Sequence, residues 1–543
     1  MSITDTTTPS VTGQAGSTCA AQRSDHAAGG DLTGRDRMAR NVLTSWAAHF
    51  IYIAAGFIVP RLIDRQIGQE SLGVWDFGWS LVAYFALVQG GVVSSVNRFV
   101  SMCRSKGDLE GVNCAVSSVT AVLLVMALVA AALALSATLA IPALFGDRLG
   151  GHIVDAQWVT LLLGTNLAIE IAFAGFGGVL TGCYRHDLNN LIFALSHVLQ
   201  VAAMVVALFL GGSISTLALI VFCGGLLERW VQRAAAYRVC RSLRVGLTHA
   251  RWSMALQMLR FGSKWFLPAL ADVLQGQTTS ILIVAYLGPS ALALYSRPRS
   301  IVLHMRTLMA KFAFVLLPTA SSLQAMNRDE ELRGLFVTTA RYGACIALPM
   351  VLGCSILGGP ILRLWMGPHY ELGILMAILA VGHLASILQM PVLCVLSGMN
   401  AHGRPGLATL LAAICSGGLT ILALGPLQWG LLGAAVALTV PLTVAHAIYV
   451  PVYACRRLGV SLGQYAREAL FRPLLYTLPF AMALGAARLV FADRPVASLL
   501  SAVAVGGPLL AIMYWRYALA GPLKRQIAGW IGLPTIAAEV GRE

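Results

Sequence analysis

Charge is the scarcest feature of this chain. Only 11% of its 543 residues are Asp, Glu, Lys or Arg, about half the share of an ordinary soluble domain. Acid is scarcer than base: 23 Asp and Glu stand against 38 Lys and Arg, a formal net charge of +15. Several reactive motifs are missing as well. None of the eleven cysteines is paired as C-x-x-C, and most fall inside apolar stretches, where they read as small packing residues. No Walker A sequence, H-E-x-x-H or G-x-G-x-x-G occurs, which leaves ATP hydrolysis and zinc chemistry without support, and no cofactor or metal is expected. The first 36 residues are polar and rich in Ser, Thr, Gly and Ala. They lack the apolar core of a signal peptide and read as a disordered tail.

What fills the chain instead is apolar length. It is 57% hydrophobic, with a mean hydropathy of +0.76. Runs such as 114–141, 188–210 and 406–425 carry few ionisable groups, and about 20 apolar residues in a helix span the ~30 Å hydrocarbon core. The alternating ten-residue pattern of a membrane barrel is not seen. The expected fold is therefore an all-α polytopic membrane protein with about fourteen transmembrane helices. Lys and Arg orient it. If the N-terminus is cytoplasmic, the outer loops keep only Arg61, Arg65, Arg148, Arg363, Arg488 and Arg494, and both termini lie inside. The same bias accounts for most of the net charge, so no nucleic-acid partner is needed.

The chain reads as two copies of one unit. IGQESLGVWDFGWSLV (67–82) matches LGPSALALYSRPRSIV (287–302), placing Gly68 on Gly288 and Trp75 on Tyr295. VLTGCYRHDL (179–188) matches VLSGMNAHGR (395–404), placing Gly182 on Gly398, and Arg40 falls on Arg260. Two parallel, pseudo-symmetric six-helix repeats follow. The expected division is a tail at 1–36, a bundle at 37–238 and an amphipathic cytoplasmic linker helix at 239–260. A second bundle at 261–455, helices 13–14 at 456–520 and a tail at 521–543 complete it.

Against this apolar background, YSRPRSIVLHMRTLMAKF (295–312) carries Arg297, Arg299, Arg306, Lys311 and His304 without an acid. A helix starting near residue 290 would bring Arg306 about 24 Å into the membrane, where a lipid-facing charge costs roughly 2.5–3.5 kcal/mol. Lys311 can snorkel to the interface. At 100° per residue, Arg297, His304 and Lys311 share one face and Arg299 and Arg306 the opposite one. Lys264 and Asp272 lie in the preceding span, where Asp272 is either a salt-bridge partner for an arginine or an ion-coupling site. In the first half, Arg98 ends the second span as an interfacial anchor or substrate contact, and Glu170 is expected inside the fourth.

The stretches Arg40–Ser45, Pro60–Trp75 (PRLIDRQIGQESLGVW) and Gly90–Ser101 (GGVVSSVNRFVS) resemble bacterial polysaccharide flippases. These belong to the multidrug/oligosaccharidyl-lipid/polysaccharide exporter superfamily. The resemblance implies that the two repeats form bundles around a central cavity, and that the chain is a transporter rather than an enzyme, working by alternating access in the bacterial inner membrane. It would move an undecaprenyl-diphosphate-linked oligosaccharide from the inner to the outer leaflet for cell-surface polysaccharide assembly. Membrane lipid and the lipid-linked substrate would be its ligands, and polysaccharide polymerase or assembly proteins its partners. Arg297, Arg299 and Arg306, with Lys264 and Arg98, become candidates for the diphosphate and saccharide in the central cavity. Trp75, Trp79, Tyr84 and Tyr295 could stack on sugars. Asp272 and Glu170 keep a cation-coupled multidrug exporter of the same superfamily open. A membrane glycosyltransferase or polymerase is disfavoured, because the outer loops reach only about a dozen residues, too short to build a site.

Overall fold

The computed structural model describes residues 38–263, 266–519 and 524–525, so the expected N-terminal tail, all but two residues of the C-terminal tail, and Lys264 fall outside the described residues. Among them the regular elements are all helical. Thirteen helical stretches are long and apolar enough to cross a membrane, and one of them, Leu109–Gly182, doubles back at Gly150–His152. That brings the crossings to fourteen.

Helix α1 (Met38–Gln66) runs from one membrane face, the near face, to the far face. The second crossing returns as α2 (Gln69–Phe85) and α3 (Val92–Ser105). Sequence periodicity leads one to expect a continuous span here. The structure breaks it with a 3-10 turn at Ala86–Gln89, followed by Gly90 and Gly91 at φ 49° and 75°, a backbone that residues with a Cβ rarely adopt. Helices α4 (Leu109–Leu149), α5 (Ile153–Gly182), α6 (His186–Phe209) and α7 (Ile214–Val239) complete the first bundle. α5 packs on α4 and α7, and α1 on α6.

The connector is not one helix over 239–260. Residues 240–251 form a strap, and only α8 (Trp252–Gly262) is helical beyond a short 3-10 turn. Polar side chains of α4 explain the difference, because they take the hydrogen bonds a helix would have used. Asn113 accepts from the Arg244 amide at 2.8 Å, Ser117 from Gly246 at 3.2 Å and Ser118 from Arg251 at 2.8 Å.

The second bundle contains α9 (Phe266–Leu287), α10 (Pro289–Phe314), α11 (Leu316–Ala325), α12 (Asp329–Met366), α13 (Gly373–Leu388) and α14 (Met390–Gly398). It ends with α15 (Gly403–Leu424), α16 (Gly430–Val444) and α17 (Val450–Leu458). A π-helical turn, Ala445–Tyr449, joins α16 to α17. The last two crossings, Leu462–Val490 and Pro495–Ala518, lean on α12.

The internal repeat survives at the level of backbone angles. Gly68 and Gly288 precede α2 and α10 with φ 104° and 85°. Tyr184 and Asn400, just past the ends of α5 and α14, share the left-handed region at φ 56° and 55°. A Cβ on Gly182 would meet Val100 at 2.7 Å, and one on Gly398 would meet Ala320 at 2.8 Å. Close helix approach through small residues replaces hydrophobic exclusion inside lipid. Large apolar side chains accordingly face outward, Leu128 being 71% and Leu489 81% exposed.

Candidate functional site

Helix α10 is the element through which the two bundles meet. Its far end starts at Pro289 after Gly288 and presses onto α2, where a Cβ on Gly73 would lie 1.9 Å from the Pro289 carbonyl oxygen. Only glycine permits that approach.

The charged residues of α10 divide between two sides. On the first, Arg297 is buried and ion-pairs with Asp76 of α2. His304 stacks on Phe57 of α1 at 5.7 Å, and the Lys311 ammonium lies 4.8 Å from the Trp46 ring. This side faces the first bundle. Further bonds tie the far ends together. The Tyr370 hydroxyl donates to Asp64 at 2.6 Å, the Trp365 Nε1–H to the Phe57 carbonyl at 2.7 Å, and the Gln69 amide to the Ser290 carbonyl at 2.9 Å. Together they form a far-face seal between bundles.

On the second side, Arg306 donates to Asp272 of α9 at 3.3 Å. The Arg299 Nη2 sits 2.8 Å from where a Cβ on Gly276 would stand, and among the described residues Arg299 has no hydrogen-bond or ion-pair partner. Two buried histidines, His383 of α13 and His446 of the π turn, lie within reach of the Arg306 charge. Each meets the carbonyl four residues back through Nδ1, Leu379 at 2.8 Å and Leu442 at 3.1 Å. A carbonyl can only accept, so each Nδ1 carries a proton. Three arginines of α10 thus meet two acids, and one positive charge is in surplus.

The Asp272 side chain is 65% exposed some six residues into α9, a depth at which acidic residues face a partner or water.

The remaining candidates do not join this cluster. Arg98 of α3 lies over the Phe261 ring at 4.7 Å, where α8 meets the first bundle. Glu170 of α5 pairs with Arg229 of α7 at 3.6 Å, and Arg229 also approaches Glu228 at 3.3 Å. Glu170 and Arg229 line a separate polar cavity of about 320 Å³ inside the first bundle, with Gln89, Asn97, Asn189 and Gln232. Of the aromatic candidates, Trp75 and Tyr295 are buried between helices and cannot stack on a ligand. Tyr84 bonds to Thr278 at 2.5 Å, and Trp79 is 42% exposed.

Sequence reasoning missed Asp64, Asp76 and Tyr370. It sought partners for the arginines within their own half. The signal was present: Asp76 interrupts an apolar span, and the repeat places it one residue from the position equivalent to Arg297.

Comparison with known proteins agrees with this architecture. A family described as "Polysaccharide biosynthesis protein" matches residues 158–374. The uncharacterised membrane protein EpsK of Bacillus subtilis is 24% identical over 428 residues, covering 77% of this chain and 83% of that protein. A putative O-antigen transporter of Shigella flexneri is 20% identical, covering 70% and 91%. Among solved structures, an inward-facing multidrug resistance MATE transporter superposes with a TM-score of 0.66 at 14% identity, over 75% of this chain and 94% of that one. The lipid II flippase MurJ, inward closed, gives 0.64 at 14% identity, over 87% and 99%. At this identity the likeness to the solved transporters shows a shared fold. The two-bundle fold puts α1, α2, α9 and α10 at the bundle interface, with the cationic helix among them.

Proposed function

We propose that the chain flips an undecaprenyl-diphosphate-linked oligosaccharide from the inner to the outer leaflet of the bacterial inner membrane, by alternating access, for cell-surface polysaccharide assembly. The surplus arginine charge beside the exposed Asp272 carries this reading. Arg299 and Arg306 offer planar forks that bind phosphate oxygens in pairs and stay charged at any physiological pH. Arg297, held by Asp76, serves the far-face seal instead. Arg98 lies toward the near face and receives the headgroup there, and Lys264 is a further candidate from the sequence. The polysaccharide family match and the likeness to a lipid II flippase support the substrate class.

The near face is cytoplasmic in this reading, with both termini inside, because the Lys and Arg of the connecting segments concentrate there. An inside-negative potential then favours outward movement of the anionic headgroup by about 2.3 kcal/mol per charge per 100 mV. No covalent bond is made or broken. The test is complementation of a deletion strain by R299A and R306A at native expression, with lipid-linked intermediates followed by mass spectrometry. Accumulated intermediates and lost polymer are expected, and normal export by both variants contradicts the assignment.

A cation-coupled multidrug exporter is the second reading, favoured by Glu170 in the first-bundle cavity. Arg229 neutralises much of that carboxylate's attraction for a cation. Resistance to cationic dyes on expression, lost in E170Q, would select this reading over the first.

A further inference from the structure

On the lipid-facing side of the second bundle, away from the central cavity, α15 and α16 part toward the near face. Between them runs a groove of about 590 Å³, walled by Leu407, Leu411 and Cys415 on α15 and by Pro441, Val444 and Ile448 opposite. The π turn shapes it. Widening the helix at Ala445–Tyr449 turns Ile448 and Tyr449 outward while His446 stays buried inside, and such π segments recur at functional sites.

At the near face the groove opens into a second hollow of about 460 Å³, lined by Arg404, Tyr449, Tyr453, Arg456 and Arg457. The two share Arg404, Tyr449 and Val452, so they form one depression, apolar along the bilayer and cationic at its end. Among the described residues none of the three arginines has an acidic partner. Arginines at a membrane face are ordinary interfacial anchors. Three that converge at the mouth of an apolar furrow are arranged for a molecule with both a tail and a negative head.

We propose that this groove is a binding site for an anionic phospholipid of the near-face leaflet, its acyl chain lying between α15 and α16 and its phosphate among Arg404, Arg456 and Arg457. The charges choose the occupant. A zwitterionic headgroup would bring its ammonium toward three guanidiniums with no carboxylate to receive it. The site needs no assumption about what the central cavity carries.

Native mass spectrometry of the purified full-length protein tests it, with phosphatidylglycerol and phosphatidylethanolamine of identical chains as probes. Wild type is expected to retain phosphatidylglycerol preferentially, and the preference is expected to fall about fivefold for each arginine removed in R404Q and R456Q/R457Q. R467Q removes a charge from the same face outside the groove and is expected to change nothing. A408W fills the groove with the arginines intact, and should also lower retention while thermal stability holds. Equal retention of the two lipids by wild type overturns the proposal, as does an R467Q effect equal to that of R404Q. Displacement of the bound lipid by inorganic phosphate, with A408W binding normally, marks a free-anion site and overturns it too.

Discussion

The buried Arg297–Asp76 pair holds two charges where neither finds much water. Removing one partner leaves the other uncompensated, a cost of about 3–5 kcal/mol for a buried pair. R297A and D76A should therefore each destabilise the detergent-solubilised protein strongly. The double variant R297L/D76L should recover most of the loss, because apolar replacement of a buried pair is close to neutral. A double-mutant cycle by thermal melting checks this, and additive losses would mean the pair is not coupled. Tyr370 offers a milder probe. Y370F removes a hydroxyl donor to Asp64 and should cost about 1.5–3 kcal/mol, the worth of a hydrogen bond to a charged group.

At the scale of elements, the contact between α2 and α10 depends on Gly73. An added methyl group would collide with backbone, which cannot rotate away as a side chain can. G73A should therefore part the far ends of the bundles. Cysteines at Gln69 and Ser290, whose residues are hydrogen-bonded at 2.9 Å, should cross-link readily in the wild-type background and poorly with G73A; equal cross-linking would refute the close approach. The same two helices mark the limits of sequence reading. Helix number and the repeat were legible because long apolar runs and glycine-bounded turns are local features, as Gly68 and Gly288 illustrate. The opposed faces of α10 were legible from helical angle alone. The partner of each face was not, since Asp76 lies 221 residues from Arg297 and only the docking of the bundles joins them. Nor could periodicity foresee that Asn113, Ser117 and Ser118 would strap down residues 240–251.

For the whole molecule, alternating access requires the far-face seal to break as the near face closes. Locking position 69 to position 290 by a disulfide should stop transport while leaving the protein folded, and reduction should restore it. The orientation behind this account predicts that reporter fusions at both termini are active only in the cytoplasm. The central claim is that α10 presents a diphosphate-binding charge to the cavity, and accumulation of lipid-linked oligosaccharide tests it most directly. In a deletion strain carrying R306A at native expression, mass spectrometry should find the precursor accumulated and surface polymer lost, with R306K only partly restoring export. Normal precursor turnover and normal polymer in R306A would contradict the account.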